Sequence, residues 1–182
     1  FKETIDKWDR LLSNGHRIVA TGNADAHGQT YSMGPISRCI FPYKFLYNAV
    51  NTHLVSRQKF TGVKSEDKSI VYSALRNGNC FVGYETPYPT RGFRFSAYND
   101  SNKCIMGEEI PINDEAITLK ANTPIACNMK ILCNGTIIVE SQNQSEINCV
   151  VSVPGAYRVE ATIRHKSQER CWIFSNPIYV VL

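Results

Sequence analysis

Two residues of the sequence have types and a spacing that suit metal chemistry: Asp25 and His27, in the stretch T-G-N-A-D-A-H-G at 21–28. Side chains two residues apart on an extended chain point to the same side, so this carboxylate and imidazole could share one metal. Such a pair suits Zn, Mn or Fe better than an all-oxygen Mg site. Judged by spacing alone, the plainer alternative is the commoner one, in which Asp25 caps a turn and His27 is a solvated loop residue.

The first half of the sequence predicts the elements that would position this pair. The expected elements are, in order, a helix over 1–14 ending at Gly15, a strand over 17–21, a helix from Pro42, a helix from an N-cap at Ser65 to Gly78, and a strand over 80–84. This alternation predicts a parallel α/β layer, in which ligands collect at the carboxyl ends of the strands. The pair follows one such strand directly.

The second half of the sequence alternates between apolar and polar residues with period two, which is typical of strands. Pro87 and Pro89 indicate a linker, and we expect a boundary at 89–92. Asn134-Gly135 predicts a tight hairpin, because both central residues of a type I′ turn need positive φ. Seven strands are expected, matching a two-sheet sandwich: 93–98, 116–122, 128–133, 136–140, 147–153, 156–164 and 178–182.

Four stretches of the sequence together resemble the PHP (polymerase and histidinol phosphatase) superfamily. Residues 8–27, W-D-R-L-L-S-N-G-H-R-I-V-A-T-G-N-A-D-A-H, resemble its last metal-binding motif, in which a helix ending in Gly precedes a short strand and G-[GN]-[SA]-D-[AS]-H. Residues 74–83, A-L-R-N-G-N-C-F-V-G, look like the helix and strand that follow in that superfamily. Residues 91–95 and 172–180 look like the sandwich of its CehA/McbA-like branch.

The resemblance implies an α+β multi-domain fold. Residues 1–90 would be the C-terminal part of a PHP-type metallohydrolase barrel, the end portion of a distorted (β/α)7 barrel, and residues 91–182 an all-β Ig-like sandwich. It implies that Asp25 and His27 are ligands of a cluster of two or three metals, whose bridging water or hydroxide attacks a phosphoester while the metals stabilise charge on the phosphoryl oxygens.

The sequence departs from this family in its other ligands. The family's H-x-H pair has no counterpart, since the histidines are His16, His27, His53 and His165. We therefore expect the site to be incomplete in this chain, the metal to bind weakly and the chain alone to be inactive. A missing N-terminal barrel segment would supply the remaining ligands. A truncated barrel would also expose a strand edge, which predicts homo-oligomers or swapping through residues 1–60. Residues 29–63 are a long insertion relative to the shortest family members.

Several other residues are weaker candidates for the site. His53 could reach it, although a structural histidine is the commoner case, and Arg38 and Lys44 could hold a phosphate or simply be solvated. An aromatic stretch beside the pair could be core packing or the wall of a substrate cleft; it comprises Tyr31, Phe41, Tyr43, Phe45 and Tyr47.

Composition narrows the remaining possibilities. Lys and Arg number 20 against 16 Asp and Glu, without basic runs, so nucleic acid is not indicated. No apolar run is long enough to cross a bilayer, and we expect no membrane partner. The 7 Cys, an odd number without C-x-x-C, predict reduced thiols in a cytoplasmic protein. The alternatives to the hydrolase are a β-sandwich binding or interaction module with a supporting α/β segment, and a purely architectural unit.

Overall fold

The computed structural model describes residues 2–113 and 115–182. Its helices are α1 (Lys2–Ser13), α2 (Tyr43–Leu46) and α3 (Lys64–Asn77). The first six strands are β1 (Thr30–Met33), β2 (Ile36–Cys39), β3 (Val50–Leu54), β4 (Cys80–Tyr84), β5 (Arg94–Tyr98) and β6 (Lys103–Ile105). The other six are β7 (Glu109–Pro111), β8 (Ile117–Cys133), β9 (Thr136–Val151), β10 (Gly155–His165), β11 (Gln168–Ser175) and β12 (Ile178–Val181).

Ten of the strands belong to one curled sheet, and β1 and β2 form a separate hairpin. The main path of the sheet is β3-β4-β11-β10-β8-β5-β6, with β9 paired to β8 and with β12 joining β10 to β7. Its pairs are antiparallel except for β7 and β12, which run parallel. Fully buried side chains fill the inside of the curl, among them Phe93, Phe95, Met129, Ile131 and Trp172.

The predicted fold class, the end portion of a distorted (β/α)7 barrel followed by an Ig-like sandwich, is wrong. The chain is 47% strand and 17% helix, and its curled antiparallel sheet forms a half-barrel. The residues that the structure describes contain no (β/α)7 barrel. The physical reason lies in strand direction: β3 and β4 flank α3 in sequence but pair antiparallel, and β4 then pairs antiparallel with β11. The division into 1–90 and 91–182 stays a prediction.

Local predictions succeed where one residue type decides the backbone. The helix over 1–14 is confirmed as α1 and the strand over 80–84 as β4. Gly78 ends α3 in the left-handed conformation, with φ 77°. Asn134 and Gly135 both have positive φ, 49° and 83°, in the hairpin between β8 and β9.

Other local predictions were wrong in extent or in kind. The helix from Pro42 is the single turn α2, because β3 already begins at Val50. The N-cap of α3 is Val63 and not Ser65. The carboxylate of Asp67 instead accepts hydrogen bonds from the amides of Thr61 and Gly62, at 2.8 and 3.1 Å.

A buried cation fastens α1 to the sheet. Arg158 of β10 is 1% exposed, and its Nε and Nη2 donate to the two carboxylate oxygens of Asp9, each at 2.7 Å. Its Nη1 donates to Glu160 at 2.6 Å, and its guanidinium carbon lies 5.0 Å from the ring centroid of Trp8. Burial disfavours the charged form, but the two carboxylates outweigh it and hold the pKa of Arg158 above its usual value.

Residues 17–23 form no strand, and side chains from other elements hold them against the sheet. Asn176 accepts from the amide of Ala20 at 2.7 Å and donates to its carbonyl at 2.9 Å. Thr52 of β3 pairs in the same way with the amide and carbonyl of Gly22, at 2.9 and 2.8 Å. The indole of Trp8 donates to the carbonyl of Ile18 at 2.8 Å. The strand predicted over 17–21 is therefore wrong: these residues have no regular secondary structure and lie outside the sheet.

Among the described residues, none of the three helices is long and apolar enough to cross a membrane. The cytoplasmic location stays a prediction.

Substituting Asp9→Ala should lower the free energy of unfolding by about 3 kcal/mol, because removing one partner of a buried ion pair leaves the other charge uncompensated. Asp6→Ala is the matched control, since Asp6 is an exposed carboxylate on the same helix, and its cost should stay within about 0.5 kcal/mol. Urea unfolding followed by circular dichroism measures both. Equal midpoints for the two variants would contradict a structural role for the Arg158 pair.

Substituting Asn176→Ala should free the segment 17–23, because the amide and the carbonyl of Ala20 lose their partner. Hydrogen exchange at the amides of Ala20 and Gly22 should accelerate, and the free energy of unfolding should fall by about 1–3 kcal/mol. Asn148→Ala, at an exposed position of β9, is the control and should change neither quantity. Unaltered exchange at Ala20 in the Asn176 variant would show that the segment is held by other contacts.

Candidate functional site

Asp25 and His27 lie side by side on the loop that follows residues 17–23. His27 Nδ1 lies 3.6 Å from Asp25 Oδ1 and 2.7 Å from the backbone oxygen of Asp25. The side chains are 66% and 89% exposed for His27 and Asp25 respectively. Both groups are therefore adjacent, as their spacing predicts, and both are open to solvent.

The hydrogen bond to the backbone decides which nitrogen of His27 carries the proton. A carbonyl oxygen only accepts, so Nδ1 must hold the hydrogen that it donates to Asp25. In the neutral imidazole, Nε2 is then left with a lone pair. A histidine that donates Nδ1–H to a backbone carbonyl is in a form suited to binding a metal through Nε2.

The loop owes its shape to local hydrogen bonds and to one close contact. The side chain of Asn23 accepts from the amide of Asp25 at 2.8 Å, and Asp25 has a φ of 47°, in the left-handed region. The hydroxyl of Tyr43 donates to the carbonyl of His27 at 3.1 Å. Gly28 also has positive φ, and a Cβ there would lie 2.7 Å from the Tyr43 ring, so only glycine fits.

A small cavity of about 380 Å³, with both polar and apolar walls, opens beside the pair. Its walls are the loop residues 22–27 and the side of β3, and Tyr47 completes it. Asn51 and Thr52 of β3 also line it, but the Thr52 hydroxyl is already bonded to Gly22 and the Asn51 amide donates to the carbonyl of Tyr47 at 3.1 Å. The cavity has room for a small polar ligand.

A second, apolar groove of about 660 Å³ adjoins the loop. It runs between α1, residues 17–23 and the sheet, and it shares Gly22 and Asn23 with the cavity of 380 Å³. Ile5, Trp8, Val82, Tyr84 and Phe174 are among its lining residues. An apolar surface of this kind suits a polypeptide segment better than a polar small molecule.

The structure brings no further ligand to the pair. Across residues 2–113 and 115–182, no three His, Cys, Asp or Glu side chains converge as a metal site would require. Asp25 and His27 can therefore fill only part of a coordination sphere by themselves, since a catalytic zinc usually has three protein ligands.

His53 faces away from the pair. It follows Thr52 on β3, so its side chain points to the opposite side of the strand, where its ring stacks on Phe81 with centroids 4.7 Å apart. Its Nε2 donates to Glu85 at 2.8 Å and lies 3.1 Å from the hydroxyl of Thr90, which also donates to Glu85. The cluster ties the end of β4 and residue 90 to β3, which is a structural task. Sequence reasoning did not foresee Glu85 or Thr90, because no short motif links residues 32 and 37 positions apart.

Of the other residues that the sequence suggests for the site, some line the cavity or contact its loop and others do not. Among the aromatic candidates, Tyr47 lines the cavity and Tyr43 bonds to the loop, as described above. Arg38 lies on the exposed strand β2 and Lys44 on the exposed turn α2, and neither lines this cavity.

All seven cysteines lie within the described residues and are free thiols in the structure. Burial, reinforced by the charge of Glu108, raises the pKa of Cys104 to about 12. Burial likewise raises the pKa of Cys80 and Cys127. These thiols stay protonated near neutral pH and are not candidates for a cysteine nucleophile.

Comparison with protein-family models, with curated proteins and with solved structures found no match to this chain.

Proposed function

We propose that this chain contributes Asp25 and His27 as two ligands of a divalent-metal site for phosphoester hydrolysis, with the remaining ligands supplied by another polypeptide segment. The hydrogen bond from His27 Nδ1 to the carbonyl of Asp25 carries the proposal. It leaves Nε2 free in the tautomer that metals bind, next to a carboxylate in an accessible loop.

The donor set supports Zn, Mn or Fe as the ion. One imidazole and one carboxylate suit these metals, whereas Mg prefers oxygen donors. A divalent ion at such a site supplies neutralising charge for phosphoryl oxygens and lowers the pKa of a bound water.

The need for a second segment follows from the ligand count. Two ligands do not complete a catalytic site, and the apolar groove next to the loop is a docking surface for the chain that would bring the others. The resemblance to the PHP superfamily points to a segment N-terminal to residue 1 in the same polypeptide. A second copy of this chain is the other source, because the sequence also predicts homo-oligomers.

Mn²⁺ added to this chain should broaden the amide resonances of residues 23–28 in NMR spectra. Asp25→Asn and His27→Gln should each weaken the affinity by about tenfold or more, since even the outer partners of metal ligands contribute about tenfold to a hundredfold. The matched controls are Asp100→Asn and His16→Gln, which change the same residue types at other exposed positions and should leave the broadening unchanged.

Broadening that persists at full strength in Asp25→Asn and His27→Gln would contradict the proposed ligands. Broadening centred on other residues would place the metal elsewhere. Either result would leave a binding or interaction module as the better interpretation of the chain.

Hydrolysis should require the completed site. This chain alone should not hydrolyse bis(p-nitrophenyl) phosphate in the presence of Mn²⁺, whereas the product of the reading frame extended upstream of residue 1 should. Asp25→Asn in the extended product should lower kcat by about a hundredfold or more, because loss of a ligand costs at least as much as loss of its outer partners. Asp100→Asn serves as the control. Hydrolysis independent of Asp25 would contradict the proposal.

A further inference from the structure

The hairpin of β1 and β2 has one apolar and one polar face. Its register places Tyr31 opposite Arg38 and Met33 opposite Ile36, so these four side chains share a face. The other face has only small side chains, and the hydroxyl of Ser32 donates to that of Ser37 across it at 3.2 Å. We call the first set, Tyr31, Met33, Ile36 and Arg38, the apolar face of the hairpin.

This apolar face is open to solvent. Met33 is 81% exposed, Ile36 67% and Tyr31 57%, and every residue of both strands is exposed. The hairpin is anchored at its base, where the amide of Ile40 donates to Gln29 at 3.0 Å. A two-stranded hairpin on its own is marginally stable in water, and exposed apolar patches mark interaction sites. We therefore expect the apolar face of the hairpin to contact a partner surface.

Further apolar side chains are exposed beside the base of the hairpin. Phe41 and Phe45 stack with ring centroids 5.9 Å apart, and Tyr43 and Tyr47 stack at 5.6 Å. All four are at least half exposed. Exposed apolar side chains therefore follow the hairpin directly along the chain, up to and including α2.

The charge of this region selects an anionic partner. Residues 26–65 contain five Lys or Arg and no Asp or Glu, whereas the rest of the chain has 15 basic and 16 acidic residues. Arg57 of this segment is paired with Glu108, so Arg38 on β2 and Lys44 on α2 are the cations of the hairpin and of the turn that follows it. The one charged residue of this face is a cation, so two copies packed face to face would gain no ion pair between their faces.

The order of side chains along the hairpin matches a lipid interface better than an acidic protein. The aliphatic pair Met33 and Ile36 occupies the tip, on either side of the two-residue turn at Gly34 and Pro35. The next pair on that face is Tyr31 and Arg38. In a bilayer, aliphatic groups enter the hydrocarbon, amphipathic rings lie at the headgroup level, and cations attract anionic headgroups.

We propose that the apolar face of the β1–β2 hairpin docks peripherally on a bilayer surface that contains anionic phospholipid. The proposal does not rest on the metal site. It departs from the expectation of no membrane partner, which the sequence supports only through the lack of a spanning run. Peripheral contact needs no such run, because the hairpin lies at the interface and does not cross it.

Cosedimentation with vesicles tests this docking. The chain should sediment with phosphatidylcholine vesicles that contain phosphatidylserine and should bind at least about fivefold less to pure phosphatidylcholine, since each basic residue near an anionic surface contributes about fivefold. Met33→Ser with Ile36→Ser should weaken binding by about tenfold or more, because the aliphatic groups no longer enter the bilayer. Arg38→Gln should weaken it by about fivefold.

The matched control is Val150→Ser with Val153→Ser, which removes two aliphatic side chains that are 65% and 62% exposed near the end of β9. This control should bind like the wild type. All substitutions are at exposed positions, and circular dichroism checks that each variant is folded.

Three results would overturn the proposal: equal binding to both vesicle types, equal loss of binding in the control variant, or no binding to vesicles at all. If the chain does not bind and is a dimer in sizing chromatography, and if Met33→Ser with Ile36→Ser converts that dimer to a monomer, the face is a contact between copies of the chain.

Discussion

The packing of α1 on the sheet depends on one buried charge. Arg158 has almost no exposed surface, and a guanidinium in that position is tolerated only because Asp9 and Glu160 accept its hydrogen bonds. Asp9 can do so in one placement of the helix alone, since its two oxygens match two nitrogens of the guanidinium. The ion pair therefore fixes where α1 lies, and it fixes Trp8 with it. Apolar packing alone would tolerate small slides of the helix.

The position of Trp8 in turn helps to position the segment that leads to the candidate site. The indole holds Ile18, Asn176 holds Ala20 and Thr52 holds Gly22, so every second residue of the segment has a side-chain partner on the body of the protein. In a strand, alternate residues direct their amide and carbonyl groups to opposite sides. One edge of residues 18–22 is thus satisfied by the protein's own side chains, and the loop with Asp25 and His27 starts from a fixed point.

Elements of this fold that depend on one or two neighbouring residues could be predicted from the sequence, whereas those that depend on distant residues could not. Gly78 and Asn134-Gly135 could be interpreted because positive φ is a property of one or two residues. The length of β8 could not, because Pro124 cannot donate to a ladder and so predicts a break, whereas β8 continues through it and its ladder with β9 resumes after a register shift between Asn122 and Cys127. Strand direction could not be read at all. The rhythm of helices and strands in residues 1–90 fits parallel and antiparallel neighbours equally, and the pairing of β4 with β11 depends on residues about 90 positions away.

The same argument applies to the candidate site. The adjacency of Asp25 and His27 agrees with their spacing but not with the expected cause, because Asp25 has a left-handed φ of 47° and the chain there is not extended. The tautomer of His27 was not predictable, because it depends on a positive φ at Asp25 that turns the backbone oxygen toward the ring. The contact between Tyr43 and the loop could not be predicted from the sequence either. It connects the candidate metal site with the stretch of chain that contains the hairpin. Tyr43 bonds to the carbonyl of His27 and packs on Gly28, two residues before the hairpin begins. A shift of the hairpin and α2 against the sheet would therefore reach the imidazole through one hydrogen bond and one ring contact.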